Sequence, residues 1–396
     1  MKNCILTPTF SGHFQYLKNY LDSFQENVTD KENTVIYFIV NEAEVKSLKK
    51  VLKKWKKLDL RILNFEDILK KFKIDISPEV LLEKYGKFSF QALKKFYGML
   101  YLEEYQHFLV LDTESIWLNK TSISEMFSNF FDKNPFIIYS NVKKRLLTSK
   151  SNQEASDNIN YILKSNCDKW FVEQYIRLWD VNILKDIFDK CGSCFEIVDR
   201  IYNKEKDYTP KLGLFESVLY DQFIYENCKK YGYKIIDLDE ECDKYIDKKV
   251  MNKYRENLAN IWNGSCGLLE SSSILLDKSN YLGFANVFKN NNLNIIRIET
   301  EPQNYHWQKE FLKIVQPKIL TCSQENLFGV NKNLKNFLII CRLKTKKLNK
   351  FLSMYNKIKC FTVKYFRIFI SPFKFLLYFI LGIFEFIREC MKFIFY

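Results

Sequence analysis

The stretch Phe108-Leu109-Val110-Leu111-Asp112-Thr113-Glu114-Ser115 sets an apolar run of four residues against two carboxylates spaced by one residue. A short, wholly apolar run bounded by an acidic break is the pattern of a strand buried on both faces of a parallel sheet. In an extended chain, alternation places Asp112 and Glu114 on one side. Open α/β sheets bind ligands at the carboxyl ends of their strands. Two hard oxygen donors there suit Mg2+ or Mn2+, and such an ion holds a diphosphate.

The segments before this stretch alternate in the same sense. Cys4 to Thr9 reads as a buried strand, and Phe14, Leu17, Leu21 and Phe24 recur at helical spacing, which predicts a helix from His13 to Glu26. Thr34 to Val40 is a second strand, Glu42 to Leu58 a Lys-rich amphipathic helix, and Leu60 to Phe65 a third strand followed by a helix from Glu66 to Phe72. This β-α-β-α-β order implies a parallel sheet with right-handed crossovers. Lys84 to Phe90, with Gly86 inside it, reads as a loop, and Gln91 to Glu104 as the helix leading into the strand that bears Asp112. Beyond Ser115 the reading is a strand at Pro135 to Ser140, a polar loop from Lys143 to Asn160 and a mixed region from Trp170 to Lys190. A helix at Phe215 to Tyr231 and strands at Tyr233 to Leu238 and Asn294 to Glu299 follow. The chain shows no internal repeat.

The 396 residues, 47% of them apolar, suffice for one large domain with an appendage, or for two domains. The eleven cysteines are odd in number and scattered, and Met1 to Leu6 runs into Thr7-Pro8-Thr9 too early for a signal-peptide core. Reduced thiols in a cytoplasmic protein are the expectation. Cys191-Gly192-Ser193-Cys194 has no second pair at zinc-site spacing, so ordinary thiols are expected there.

The net charge of +14 is concentrated. Between Glu325 and Glu385 there is no acid and there are twelve Lys or Arg, which account for most of it. The body is thus nearly neutral, which argues against a nucleic-acid enzyme. Within the tail, Lys357, Lys364, Arg367, Lys374, Arg388 and Lys392 fall in one sector of a helical projection among Phe, Ile, Leu and Tyr. The uncharged stretch Phe375 to Phe384 is ten residues, or about 15 Å of helix against a hydrocarbon core of about 30 Å. A span from Ile368 to Ile387 would have to accept Lys374, Glu385 and Pro372. In-plane binding to an anionic leaflet is therefore the expectation.

Taken together, the order of parts resembles the GT-A-fold, nucleotide-sugar-dependent glycosyltransferases of bacterial surface-polysaccharide and lipooligosaccharide type. Short motifs over residues 1 to about 310 carry the resemblance: Ile5-Leu6-Thr7-Pro8-Thr9, Gln91-Ala92-Leu93-Lys94-Lys95 followed by Leu109 to Glu114, and Tyr220-Asp221-Gln222. It implies a Rossmann-type mixed α/β sheet flanked by helices over residues 1–325, with 326–396 a basic helical tail that associates with membranes. Asp112 and Glu114 stand where that family has its DxD metal motif, with Glu in place of the second Asp. His306, before Trp307, is similar to a histidine that some members use as a third metal ligand. Thr7, Thr9, Gln91, Lys94 and Lys95 become candidates for the donor nucleotide or its diphosphate. Lys95 shares a helix face with Gln91, and Lys94 takes its place if the register slips.

The resemblance further implies Mn2+ or Mg2+ as cofactor, a nucleotide-sugar donor, a glycan or lipid-linked acceptor, no nucleic-acid partner, and a position on the inner face of the cell membrane. If the anomeric centre inverts, an acceptor base is needed, and the candidates are Asp221, Glu216 and Asp180, with Asp221 where the family pattern falls. Glu216 and Asp221 are five apart and do not share a tight helical stripe. Two alternatives stay open: a sugar-phosphate nucleotidyltransferase, although the stretch after the first strand has only Gly12, and a non-catalytic membrane-bound scaffold of the same fold.

Overall fold

The structure is a computed structural model. It describes residues 2–140, 150–171, 178–204, 213–245 and, intermittently, 283–322. Two units divide the chain, Met1–Leu334 and Lys335–Tyr396, and the described residues all belong to the first. His306 and the tail therefore lie outside the described residues.

The first half runs β1 (Asn3–Pro8), α1 (Leu17–Asn27), β2 (Thr34–Val40), α2 (Glu42–Leu52), β3 (Asp59–Asn64), α3 (Phe65–Lys71), α4 (Pro78–Tyr101), β4 (His107–Val110) and β5 (Ser115–Trp117). Then come α5 (Ile123–Phe127), β6 (Phe136–Ser140), α6 (Lys150–Leu163), β7 (Trp170–Phe171), β8 (Leu178–Asp180), α7 (Val181–Cys191) and α8 (Cys194–Tyr202). The described remainder holds α9 (Glu216–Glu226), α10 (Cys228–Tyr231), β9 (Lys234–Asp237), α11 (Leu238–Tyr245), β10 (Ile295–Ile298) and β11 (Ile319–Cys322).

The fold is mixed α/β. Its central sheet has the order β3-β2-β1-β4-β8, parallel throughout except at the antiparallel edge β8. All seven residues of β2 are buried, as a strand covered on both faces requires. Two smaller sheets, β10-β11-β5 and β7-β6-β9, adjoin it. The register Leu6↔Val110, extended by a hydrogen bond from Leu111 N to Leu6 O at 3.0 Å, aligns the carboxyl ends of β1 and β4.

The predicted strands up to Val110 stand where the hydrophobic runs placed them, and three other expectations are corrected. The predicted loop at Lys84 to Phe90 lies inside α4. Ser77 caps its start, Pro78 occupies the first turn, and the helix passes through a kink at Gly86, with φ 69° and ψ 173°. A glycine signals the break but not the helical segments on either side of it. The predicted loop at Lys143 to Asn160 becomes helical from Lys150 on. The predicted single helix at Phe215 to Tyr231 is divided at Asn227, into α9 and α10.

Candidate active site

The site is built at the carboxyl ends of β1 and β4. Beyond Val110 the chain does not stay extended: Ser115 N donates to Asp112 O at 3.0 Å, closing a reverse turn over residues 112–115. The expected alternation of Asp112 and Glu114 along a strand is thereby corrected. Both acids nonetheless reach one neighbourhood. His13 Nδ1 lies 3.9 Å from Glu114 Oε1, and Asp112 acts on the same imidazole through space.

Lys95 forms the centre of the cluster. It lies in the second segment of α4, and its side chain is only 4% exposed. Its Nζ donates to Glu216 Oε1 at 2.5 Å and stands 3.8 Å from Asp112 Oδ1. Glu216 is the first residue of α9 and is itself buried. One ammonium thus faces two carboxylates from different elements, and the cluster keeps net negative charge towards the open side, where Asp112 and Glu114 are 24% and 18% exposed.

The β1–α1 connection closes another side. His13 packs against Phe10, with ring centroids 4.0 Å apart, and edge-on to Tyr16 at 5.7 Å. Burial holds the imidazole pKa below its ordinary value, Lys87 adds to that lowering, and Asp112 opposes it. Two hydroxyls here, of Thr9 and Thr113, are buried and have no hydrogen-bond partner among the described residues. Such groups are costly unless something polar meets them.

The remaining sequence candidates fall elsewhere. Thr7 is fully enclosed and shares a 3.1 Å hydrogen bond with Tyr20, so it faces the core beneath the site. Gln91 is half-buried one turn before Lys95. Lys94 points away from Lys95, as consecutive helical residues must. Its Nζ stands 5.5 Å from the Phe65 ring and 4.8 Å from that of Phe90, and burial lowers its pKa to about 8.

Asp221 is buried on α9, about 7.5 Å along the axis from Glu216 and about 140° around it. Asp180 is at the opposite end of the sheet. It pairs in register with His107, the first residue of β4, and caps α7 by accepting from Asn182 N at 2.8 Å. Gln106 Nε2 also donates to it at 3.2 Å. Its carboxylate is a helix cap beside the amino end of β4, five residues before Asp112.

His13 and Lys87 are the residues that sequence reasoning missed. A signal for His13 was available: it follows β1 by a few residues, and the connection leaving a strand's carboxyl end borders the ligand crevice in open sheets. Lys87 was hidden by reading Gly86 as the middle of a loop. The thiols of Cys191 and Cys194 are buried, and burial raises both above their ordinary pKa, well above it for Cys194.

No known family and no curated protein matches the sequence. Among solved structures, the chain is similar to mouse xyloside xylosyltransferase 1 in its apo form, with 12% identity, 67% of this chain and 94% of that one covered, and a TM-score of 0.35. It is similar to core-mannan synthase A of Aspergillus fumigatus in a Mn/GDP form, at 12% identity, 55% and 71% coverage and a TM-score of 0.33. A third similar structure is S. aureus TarS, at 14% identity, 73% and 48% coverage and a TM-score of 0.29. Likenesses this distant leave the function to be read from the site's own side chains.

Proposed function

We propose that this chain is a metal-dependent glycosyltransferase, moving a sugar from a nucleotide-sugar donor to a glycan or lipid-linked acceptor. The observation that carries the reading is the Asp112–Glu114 turn at the carboxyl end of β4, with Lys95 held beside it by Glu216. A binding crevice at this end of an open sheet is expected on topological grounds. Two part-exposed carboxylates, an ammonium and two unsatisfied hydroxyls are the groups that an anionic, hydroxyl-rich ligand needs.

The donor set fits Mn2+ or Mg2+ of the kind that takes one or two carboxylates from protein and the rest from phosphate and water. Among the described residues no cluster of three His, Cys, Asp or Glu forms a self-sufficient metal cage. Asp112 and Glu114 would hold the ion. Bound there, it would neutralise charge developing on a diphosphate leaving group.

The chain's own residues do the rest. Lys95 presents a fixed positive charge, and Glu216 keeps it oriented, as a positioning residue. In the transfer, the bond from the anomeric carbon to the diphosphate oxygen breaks, the acceptor oxygen bonds that carbon, and the acceptor proton is released. The three acids considered as its recipient differ in placement: Glu216 is engaged by Lys95 in the Asp112 cluster, Asp221 is buried on α9, and Asp180 caps a helix.

In this reading residues 326–396 hold the enzyme to the inner face of the cell membrane. What supports that is their sequence: an acid-free basic run with an apolar, aromatic remainder. No helix among the described residues is long and apolar enough to cross a membrane. The test is a thermal-shift and hydrolysis screen of nucleotide sugars with and without Mn2+. Metal-dependent stabilisation by one donor, with release of its free sugar, is the expected result. No response to any donor, or pyrophosphate-dependent release of sugar phosphate instead, would overturn the reading.

A further inference from the structure

We propose that the exposed lysine face of α2 is a docking surface for an anionic membrane, separate from the C-terminal tail. Residues 45–58 contain seven lysines and no acid, and Lys46, Lys49, Lys50, Lys53, Lys54, Lys56 and Lys57 are all exposed. The apolar side of the segment is spent on the core, through Leu48, Leu52, Trp55 and Leu58. What remains outside is almost uniformly cationic.

Lys46, Lys49, Lys50 and Lys53 form pairs at spacings of three (46/49, 50/53) and four (46/50, 49/53), which gathers them into one helical sector. They line a single open groove with Val45 and Glu42. Like charges at these spacings destabilise a helix, and among the described residues none of these four lysines is in an ion pair. Among the described residues only Lys54 of the seven has an ion pair, at 3.9 Å from Asp22. A face that concentrates like charge at a cost to its own helix is complementary to a partner carrying the opposite sign.

The composition selects the partner. The segment has no arginine for bidentate phosphate or base contacts, and its one aromatic, Trp55, is buried. Nucleic-acid surfaces rely on both. It has no exposed apolar anchor for a protein interface. Exposed lysines alone suit a diffuse layer of lipid headgroups, where each basic residue near the surface multiplies partitioning by about fivefold. The acid-free run of the tail provides a second element of the same chemistry in the same chain.

The placement also bears on the site. α2 begins just past the carboxyl end of β2, and Ser11 N, in the connection that carries His13, donates to Glu44 Oε1 at 2.6 Å. The acidic first turn of α2, Glu42 and Glu44, thus meets the connection that carries His13, and the cationic face begins one turn further on, at Lys46. Membrane docking here does not depend on the transfer reading, and the experiment measures it without a donor.

The experiment uses the full chain and vesicles of phosphatidylcholine with 30% phosphatidylglycerol, against phosphatidylcholine alone. The variant K46Q/K49Q/K50Q/K53Q is compared with a variant of equal charge loss elsewhere, K70Q/K73Q/K185Q/K229Q. The expected result is at least a tenfold loss of binding to anionic vesicles for the α2 variant, a loss several-fold smaller for the other, and unchanged melting temperatures or a rise for the α2 variant as repulsion is relieved. Equal losses would reduce the effect to net charge and overturn the proposal. So would unchanged vesicle binding by the α2 variant, or a loss confined to binding of single-stranded or duplex nucleic acid.

Discussion

Replacing Lys95 with Met tests the centre of the site through stability, with no ligand present. The ammonium is 2.5 Å from Glu216 and 3.8 Å from Asp112. At an effective dielectric of about 20, the gross attractions are about 7 and about 4 kcal/mol. Desolvation of a side chain only 4% exposed cancels much of that. Methionine fills a similar volume, so the cost is dominated by the two carboxylates left facing each other, about 3–5 kcal/mol. At about 2–4 °C per kcal/mol for a domain of this size, the melting temperature should fall by about 10 °C. Adding Glu216→Gln removes one of the stranded charges and should restore at least a third of the loss. The double-mutant cycle then closes with a coupling above about 1 kcal/mol. Differential scanning fluorimetry and urea titration of the four proteins make the measurement. Additive effects, or a Lys95→Met protein melting within about 1 °C of the parent, would refute the buried triad as described.

Asp112→Asn and Glu114→Gln should each lower Mn2+-dependent donor turnover by about 100-fold or more while shifting melting by less than about 2 °C, because both carboxylates are part-exposed; near-parental turnover at saturating Mn2+ would remove them from the metal site. Asp180→Ala should cost about 1 kcal/mol of stability as a lost helix cap and leave turnover unchanged; a large fall in kcat without a change in melting would return it to the chemistry. Lys94 has a pKa of about 8 in the folded protein against 10.5 ordinarily. Between those values the unfolded chain holds more protons, so stability of the parent rises relative to Lys94→Met as pH climbs, by up to about 3 kcal/mol. Lys94→Met should thus be the more stable protein near pH 7 and lose that advantage by pH 10.5, and a difference flat across this range would contradict the burial of the charged amine. Gly86→Ala should cost about 1–2 kcal/mol, since the added Cβ meets only Tyr202 Oη at 3.6 Å and the penalty is the positive φ; a neutral effect in urea titration would mean the kink relaxes.

Much of the fold is legible from hydrophobic periodicity because the central strands are buried on both faces. A run such as Thr34-Val35-Ile36-Tyr37-Phe38-Ile39-Val40 admits few other readings. The Asp112–Glu114 pair is legible for a related reason: an acidic break after a buried run must lie at a strand end. Its geometry is not, since the hydrogen bond from Ser115 to Asp112 that makes the turn leaves no side-chain signature. Lys95 was readable as one of two neighbouring lysines. The choice between them is made by tertiary partners, Glu216 for one and the rings of Phe65 and Phe90 for the other. Asp180 looked like Asp221 in sequence because an acid that caps a helix and one buried within a helix differ only in what the fold brings to them.

The turn bearing Asp112 and Glu114 leads straight into β5, and β5 finds its sheet partner late in the chain. Ser115, Ile116 and Trp117 pair with Thr321, Leu320 and Ile319. On the other flank, the Trp117 backbone is already satisfied by early residues: its amide N–H donates to Ser23 Oγ and its carbonyl accepts from Asn27 Nδ2. During synthesis at about 5–20 residues per second, roughly 10–40 s separate the emergence of β5 from that of β11. For that interval a nascent chain with its central sheet formed would present one open strand edge beside the future crevice. Completion of the sheet that follows the acidic turn is therefore a late event in biogenesis, and a ribosome stalled before residue 319 would carry a folded α/β half whose sticky edge invites chaperones or neighbouring nascent chains.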